Sequence, residues 1–302
     1  MATEVTVRVA PGGDPSVVDA ALNDALGIFG QVERSCTRFD TTSPLMVANA
    51  RPHDWHRVPR ECFDAVTAAW EAYRGTAGRF DPRVIADLVA LGYDRSLPFG
   101  AGEVTVAATT PRRRLSRPPW RPRFRRATGE ICLGHPVDLG GIGKGLAVRW
   151  ASDRLRAAAP GHLVNAGGDC YGAGNAPDGS PWRVGVEDPA GGDEPVAVVQ
   201  LHDLASATSS IRVRHWRAGG AEVHHLIDPR SGLPGGPGLM AVTVLAPDPA
   251  QAEVWSKVLF LAGVGGIAAE ARRRAVAACW VTSDGRFVTS PAMERFVLWR
   301  RP

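Results

Sequence analysis

The chain has 302 residues, 44% hydrophobic and 22% charged, with a net charge of +4. These globular proportions exclude disorder, a collagen-like fibre and a disulfide scaffold for the bulk of the chain. No apolar run reaches the ~18 residues of a membrane span, because the stretch near Val258–Ile267 is cut by Gly263, Gly265 and Gly266.

Val5–Val9 alternates like a strand, and no basic segment leading an apolar one precedes it, so a cytoplasmic location without a signal peptide is expected. From Ser16 to Arg34, Val17, Val18, Ala21, Leu22, Ala25, Leu26, Phe29 and Val32 recur at helical spacing, with Ser16 as the expected N-cap. Helices are also expected over Asp64–Tyr73 and over Arg83–Leu91, the latter opening after Asp81-Pro82.

Arg112–Arg126 holds eight arginines in fifteen residues. It reads as an anion-binding patch or as a solvated loop or sheet edge; no nucleic-acid motif accompanies it, so nucleic acid is not an expected partner. A helix follows over Gly141–Ala157. Strands are expected at His162–Val164, Trp182–Val186, Val196–Leu201 and Ser209–Trp216, then at Glu222–Ile227 after a Gly219-Gly220 turn, and at Met240–Leu245. Helices at Asp248–Leu261 and Ile267–Arg274 precede a hairpin of Val276–Thr282 with Arg286–Thr289, and Phe296–Trp299 closes the sheet. This mixed order with several hairpins favours an α+β fold over a wound βαβ sheet.

Five cysteines, an odd number without a CxxC pair, fit reduced core thiols better than zinc or disulfides. Positive charge is carried by 33 arginines and only two lysines, Lys144 and Lys257. Either these two sit where a compact ammonium is wanted, or their retention is chance.

Four segments carry candidate chemistry. In Val137-Asp138-Leu139-Gly140-Gly141-Ile142-Gly143-Lys144-Gly145, glycines let backbone amides approach an anion at the mouth of a helix, and Lys144 adds an ammonium. It is not a Walker A loop, since Asp138 and Gly145 replace the required Gly and Ser/Thr. Asn165-Ala166-Gly167-Gly168-Asp169 ends a strand in polar groups that could bind a sugar, an amide edge or a cation, or simply form a turn. In His225-Leu226-Ile227-Asp228, a histidine near a carboxylate suits proton transfer or metal work. As a strand it would put one of His224 and His225 inward and the other outward. Glu253 and Lys257 stand four apart, the spacing of an ordinary helical ion pair.

Taken in series, VDLGGIGKG, LVNAGGD, Ala207-Thr208-Ser209-Ser210, HLIDPRSG and MAVTVLAPDPAQAEVWSK resemble the ApbE-type FAD:protein FMN transferase family. Weaker echoes lie at Cys36–Asp40, at Gly78–Pro82 and at Trp182–Pro189, so the resemblance covers nearly the whole chain. It implies one domain over 1–302 with a T-fold-like, two-lobed α+β fold of mixed or antiparallel sheets packed with helices. It also implies FAD in the cleft, a Ser/Thr hydroxyl of a protein acceptor attacking the FMN-side phosphorus, and AMP as leaving group.

By motif match Asp138, Gly140, Gly141, Gly143 and Lys144 would line the flavin nucleotide. Asn165, Gly167, Gly168, Asp169, Thr208 and Ser209 would complete the pocket. His225 would be the catalytic histidine, with Asp228 orienting it or the metal shell, and Lys144 would assist. The family's magnesium would fall at Gly143, Glu253 and Lys257, where the chain diverges: the usual Asp and Thr are here Glu253 and Lys257. A protonated lysine cannot ligate a cation, so Lys257 either replaces the ion's charge or marks a lost metal site. Two other readings stay open: a FAD-binding member without transfer (carrier, pyrophosphatase or repurposed enzyme), and a basic nucleic-acid or anion binder.

Overall fold

Val5–Val9 pairs antiparallel with His162–Ala166, placing Val7 opposite Val164. The sheet continues through Asp169–Ala173, Leu204–Ser210, Leu239–Ala246, Ala277–Thr282 and Phe287–Thr289, seven strands in all with every neighbouring pair antiparallel. The computed structural model describes residues 3–99, 104–107 and 117–301.

Strand periodicity sends alternate side chains to opposite faces. Val164, Ala166, Tyr171, Ala173, Ala205 and Ala207 meet a helical layer of α1 (Pro15–Cys36), α5 (Gly143–Leu155) and α6 (Pro249–Leu261). Leu163, Cys170, Leu245, Cys279 and Val281 point the other way, onto a smaller sheet of Trp182–Val186, Ala197–Leu201 and Val297–Arg300. Small side chains on the helical face let α5 and α6 come close to the strands.

A further core joins Val242, Val244 and Trp280 of the large sheet to Leu259 and Phe260 of α6, and two more flank this sandwich. The first joins α2 (Pro44–Ala50) and α3 (Arg60–Gly75) to Ile142 and Leu146 of the α5 region and to Val254 and Val258 of α6. Trp120 anchors it, its indole N–H donating to the Leu133 carbonyl at 2.8 Å. The second joins α4 (Ile85–Ala90), Tyr93 and Leu97 to a small sheet of Thr105–Val106, His215–Ala218 and Ala221–His224. There Trp216 donates to the Leu91 carbonyl at 2.7 Å.

Several boundaries differ from expectation for local reasons. Asp14, not Ser16, caps α1, accepting from the Ser16 amide at 2.8 Å with Pro15 at the first helical position. The helix expected from Arg83 starts at Ile85, because Arg83 is turned back on Asp81: its amide and its Nε each lie 3.0 Å from Asp81 Oδ1. The strand expected over Ser209–Trp216 is two strands in different sheets, broken at residues 211–214. The helix expected from Ile267 begins at Gly263 as α7 (Gly263–Arg273).

In the described part of the arginine-rich stretch only Arg117 is built into the protein, and Arg121, Arg123, Arg125 and Arg126 are exposed. Arg117 is buried and paired with Asp87, while Arg123 and Arg125 lie on an edge strand and stack over Trp55 at 5.2 and 4.0 Å. Arg112, Arg113 and Arg114 lie outside the described residues.

Candidate functional site

A cavity of about 600 Å³ opens where the helical layer meets the two flanking cores, a size suited to a cofactor-scale ligand. Its apolar wall includes Phe39, Phe80, Tyr93, Leu97, Phe99 and Leu261. Its cationic wall is formed by Arg38, Arg79, Lys144, Arg214 and Lys257. A flat aromatic group and a phosphate chain would find complementary surfaces there.

The glycine turn before α5 forms part of the floor and is fixed on both sides. Asn49 holds Val137 through two bonds, Nδ2 to its carbonyl at 2.8 Å and Oδ1 from its amide at 2.9 Å. Asp138 accepts from the Gly140 amide at 2.7 Å and pairs with Arg38 Nε at 3.1 Å. Gly145 is required by close helix packing, since a Cβ there would lie 2.5 Å from the Pro249 carbonyl oxygen of α6.

That approach lets Glu253 of α6 cap α5: its Oε2 accepts the Gly145 amide at 2.8 Å, satisfying one of the orphan donors of a helix start. Its Oε1 lies 3.2 Å from Lys257 Nζ and 3.7 Å from Lys144 Nζ. Lys144 also pairs with Asp169, whose Oδ1 accepts from the Thr208 amide at 3.2 Å. The carboxylates are buried, Glu253 only 1% exposed, while Lys144 and Lys257 keep 18% and 17% of their side-chain surface at the cavity.

Burial acts on every member of this cluster. It pushes the Glu253 carboxyl up, but Lys257 and Lys144 outweigh it and the net shift is down. It pulls Lys144 down, but Asp169 and Glu253 carry that ammonium above its usual range. For Lys257 burial wins over Glu253, and for Asp169 burial wins over Lys144, lowering the first and raising the second.

His225 faces the same cavity from the short break between Ala221–His224 and the next strand, Ile227–Asp228. Its Nδ1 lies 3.2 Å from the Arg214 carbonyl, which can only accept. Nδ1 therefore carries the hydrogen and Nε2 the lone pair. Burial, with Arg214 adding to it, holds this imidazole well below the usual histidine range and so neutral at pH 7. His224 turns away and meets Phe260 edge-on at 5.9 Å, half-buried rather than solvent-facing. The break also puts His225, Leu226 and Ile227 all in the cavity wall, in place of the alternation a continuous strand would give.

Asp138, Gly140, Gly141, Gly143, Lys144 and His225 thus line one cavity. Asn165, Gly167, Gly168, Asp169, Thr208, Ser209 and Asp228 stand outside its wall. Asn165 closes a hairpin by accepting from Gly168 at 2.9 Å, and Thr3 covers Gly167. Thr208 and Ser209 spend their hydroxyls on Thr243 at 2.8 Å and Ser256 at 2.7 Å. Asp169 supports Lys144 from behind. Asp228 binds Arg230 through both oxygens, at 3.0 and 2.8 Å, and orders the Pro229–Gly232 turn; no described hydrogen bond joins it to His225.

The expected magnesium position fails a test of its donors. Both Glu253 oxygens already face donors, an amide on one and two ammonium groups on the other. Among the described residues no group of three or more His, Cys, Asp or Glu could hold a metal ion. An ion at Oε1 would meet Lys144 and Lys257 at close range, and like charges that near repel. These side chains do not fit a divalent cation.

Arg38 was visible in the sequence only as part of a weak echo. Its guanidinium lies 4.3 Å from both the Phe39 and Tyr93 rings, and its Nη1 donates to the Tyr93 carbonyl at 2.6 Å. Among the described residues its Nη2 is buried without a hydrogen-bond partner, a donor left over in the cavity wall.

The sequence pattern of the ApbE family matches residues 1–280. The chain belongs to the ApbE family. Among ApbE relatives, the FAD:protein FMN transferase of Escherichia coli (strain K12) is 29% identical over 172 residues, 55% of this chain and 46% of that protein. The FAD:protein FMN transferase of Treponema pallidum (strain Nichols) is 27% identical over 279 residues, 85% of this chain and 75% of that protein. The chain thus spans about half the length of the first and three quarters of the second. An ApbE protein from Thermotoga maritima shares the fold at TM-score 0.80, with 24% identity, over 99% of this chain and 96% of its own. The apo Pseudomonas stutzeri flavinyl transferase ApbE does so at 0.73, with 23% identity, over 98% and 97%. The α+β architecture expected from the sequence is therefore the ApbE fold.

Proposed function

We propose that this chain binds FAD in the cavity and transfers its FMN half to a Ser or Thr hydroxyl of a target protein, releasing AMP. The observation that carries the reading is convergence: the glycine turn with Lys144 and the segment with His225, 81 positions apart in sequence, line one cavity whose wall also carries the aromatic rings of Phe39, Phe80, Tyr93 and Phe99. The isoalloxazine would lie against the aromatic wall and the pyrophosphate against the cationic one.

In the reaction the hydroxyl oxygen bonds to the FMN-side phosphorus. The bond to the bridging oxygen breaks, and its electron pair leaves with AMP. The hydroxyl proton passes to Nε2 of His225, which is neutral and unprotonated at pH 7. A low-pKa base suffices because phosphoryl transfer has a loose transition state in which positioning and charge neutralisation dominate. Lys144 would meet the charge that builds on the leaving phosphate.

The reading includes a single domain and a reducing, cytoplasmic compartment, the latter supported by five free cysteines, four of them buried. No described helix is long and apolar enough to cross a membrane.

Calorimetric titration with FAD, and with FMN and AMP separately, should show FAD binding more tightly than either half. Incubation of the chain and FAD with an extract of the source cell should leave a denatured protein band with flavin fluorescence, together with free AMP. Binding without AMP release favours a FAD-binding member without transfer, and no heat with FAD removes the flavin reading.

A further inference from the structure

We propose that Lys257 is a tethered cation standing where the family resemblance puts a divalent ion, so that this chain holds and cleaves FAD without a metal. The inference rests on the flavin reading above and concerns the same cavity.

Three observations carry it. First, Glu253 has no free oxygen to offer an ion: the Gly145 amide occupies Oε2 at 2.8 Å, and Lys257 and Lys144 flank Oε1. Second, the lysine is built in rather than tolerated. Its Nζ lies 3.2 Å from Glu253 Oε1 and 3.4 Å from the Glu253 carbonyl, and its stem crosses the glycine turn, where a Cβ on Gly141 would sit 3.4 Å from Lys257 Cε. Third, the charges balance. Lys144 and Lys257 oppose Asp169 and Glu253, two against two. Without Lys257 the cluster would carry an excess carboxylate, the condition that recruits a cation.

An ammonium is compact and offers three donors to phosphate oxygens. In a chain with 33 arginines, both lysines stand in this one cluster. Arginine's planar guanidinium is bulkier and less of a point charge than this ammonium.

The test measures FAD affinity by calorimetry and AMP release by chromatography, each in excess EDTA and in millimolar magnesium. The wild-type chain should bind FAD equally well in both buffers and, with dialysed extract of the source cell added to supply the acceptor hydroxyl, release AMP in both beyond an extract-only control. Lys257→Thr should lose at least about tenfold in FAD affinity in EDTA and regain part of it with magnesium. Wild-type binding that vanishes in EDTA and returns with magnesium overturns the proposal while leaving the flavin reading intact. Lys257→Thr binding FAD like the wild type in EDTA overturns it as well. No binding in either buffer removes the flavin reading and this inference together. Should Lys257→Thr fail to fold, shown by its thermal unfolding, the wild-type comparison decides alone.

Discussion

Lys144 and Lys257 share one carboxylate oxygen: Glu253 Oε1 lies 3.7 Å from the first ammonium and 3.2 Å from the second. Glu253→Gln keeps the shape and removes the charge, leaving two close ammonium groups with Asp169 alone. Breaking such a cluster should cost about 3 kcal/mol of folding stability, read by chemical denaturation. Adding Lys257→Met should recover part of that loss, because residues in one ionic network are not additive. Equal and additive losses would show that the pair is independent.

His225→Asn tests the proton acceptor. With acceptor extract present, it should lower the rate of AMP release by about 10²–10⁴-fold, the range for loss of a general base, with FAD affinity nearly unchanged. A parallel fall in affinity would instead assign His225 to binding.

Arg38→Met tests the unsatisfied donor in the cavity wall. If Nη2 bonds a bound phosphate or flavin carbonyl, FAD affinity should fall about tenfold or more, the worth of a charge-assisted hydrogen bond. The variant also breaks the Asp138 pair, so FMN and AMP should be titrated alongside. Equal weakening of all three ligands would point to a distorted glycine turn rather than a lost contact.

Gly145→Ala should destabilise the fold by about 1–3 kcal/mol, the usual cost of overpacking. Its new methyl would meet the Pro249 carbonyl backbone, which cannot rotate away. The same change would push α6 off α5 and loosen Glu253 from its cap. An unchanged denaturation midpoint would mean the two helices can separate freely.

Acid should weaken the fold through its buried histidines. Burial lowers His162 and His225, and it lowers His224 from 6.5 to about 4. A depressed folded pKa means that the unfolded chain binds protons first. The stability is therefore complete above pH 6.5 and is lost as pH falls towards the folded values. Each such histidine adds a slope of up to about 1.4 kcal/mol per pH unit in that window. His224→Gln should flatten the profile between pH 6.5 and 4; an identical slope would clear His224 of the effect.

Legibility followed locality. The helices α1, α5 and α6 showed in periodicity and glycine punctuation, and Lys144 and His225 showed in motifs contiguous along the chain. Asp169–Ala173 was missed because it is buried throughout and has no alternation to read. The seven-residue α2 was too short to mark a period, although Ser43 caps it by accepting from Met46 at 3.2 Å. Asp169 looked like a pocket ligand because a polar residue at a strand end gives no hint of which neighbour will claim it. Arg38, Tyr93 and Arg214 reach the cavity from separate loops, and no local pattern announces a residue whose partners are set by tertiary packing.

The lysine-poor composition makes the protein its own reporter. Apart from the chain's α-amino group, every primary amine it owns lines the one cavity. An amine-acylating reagent would therefore interrogate that recess almost exclusively. The degree of protection seen in a peptide map would measure how fully the recess is filled, without any engineered label.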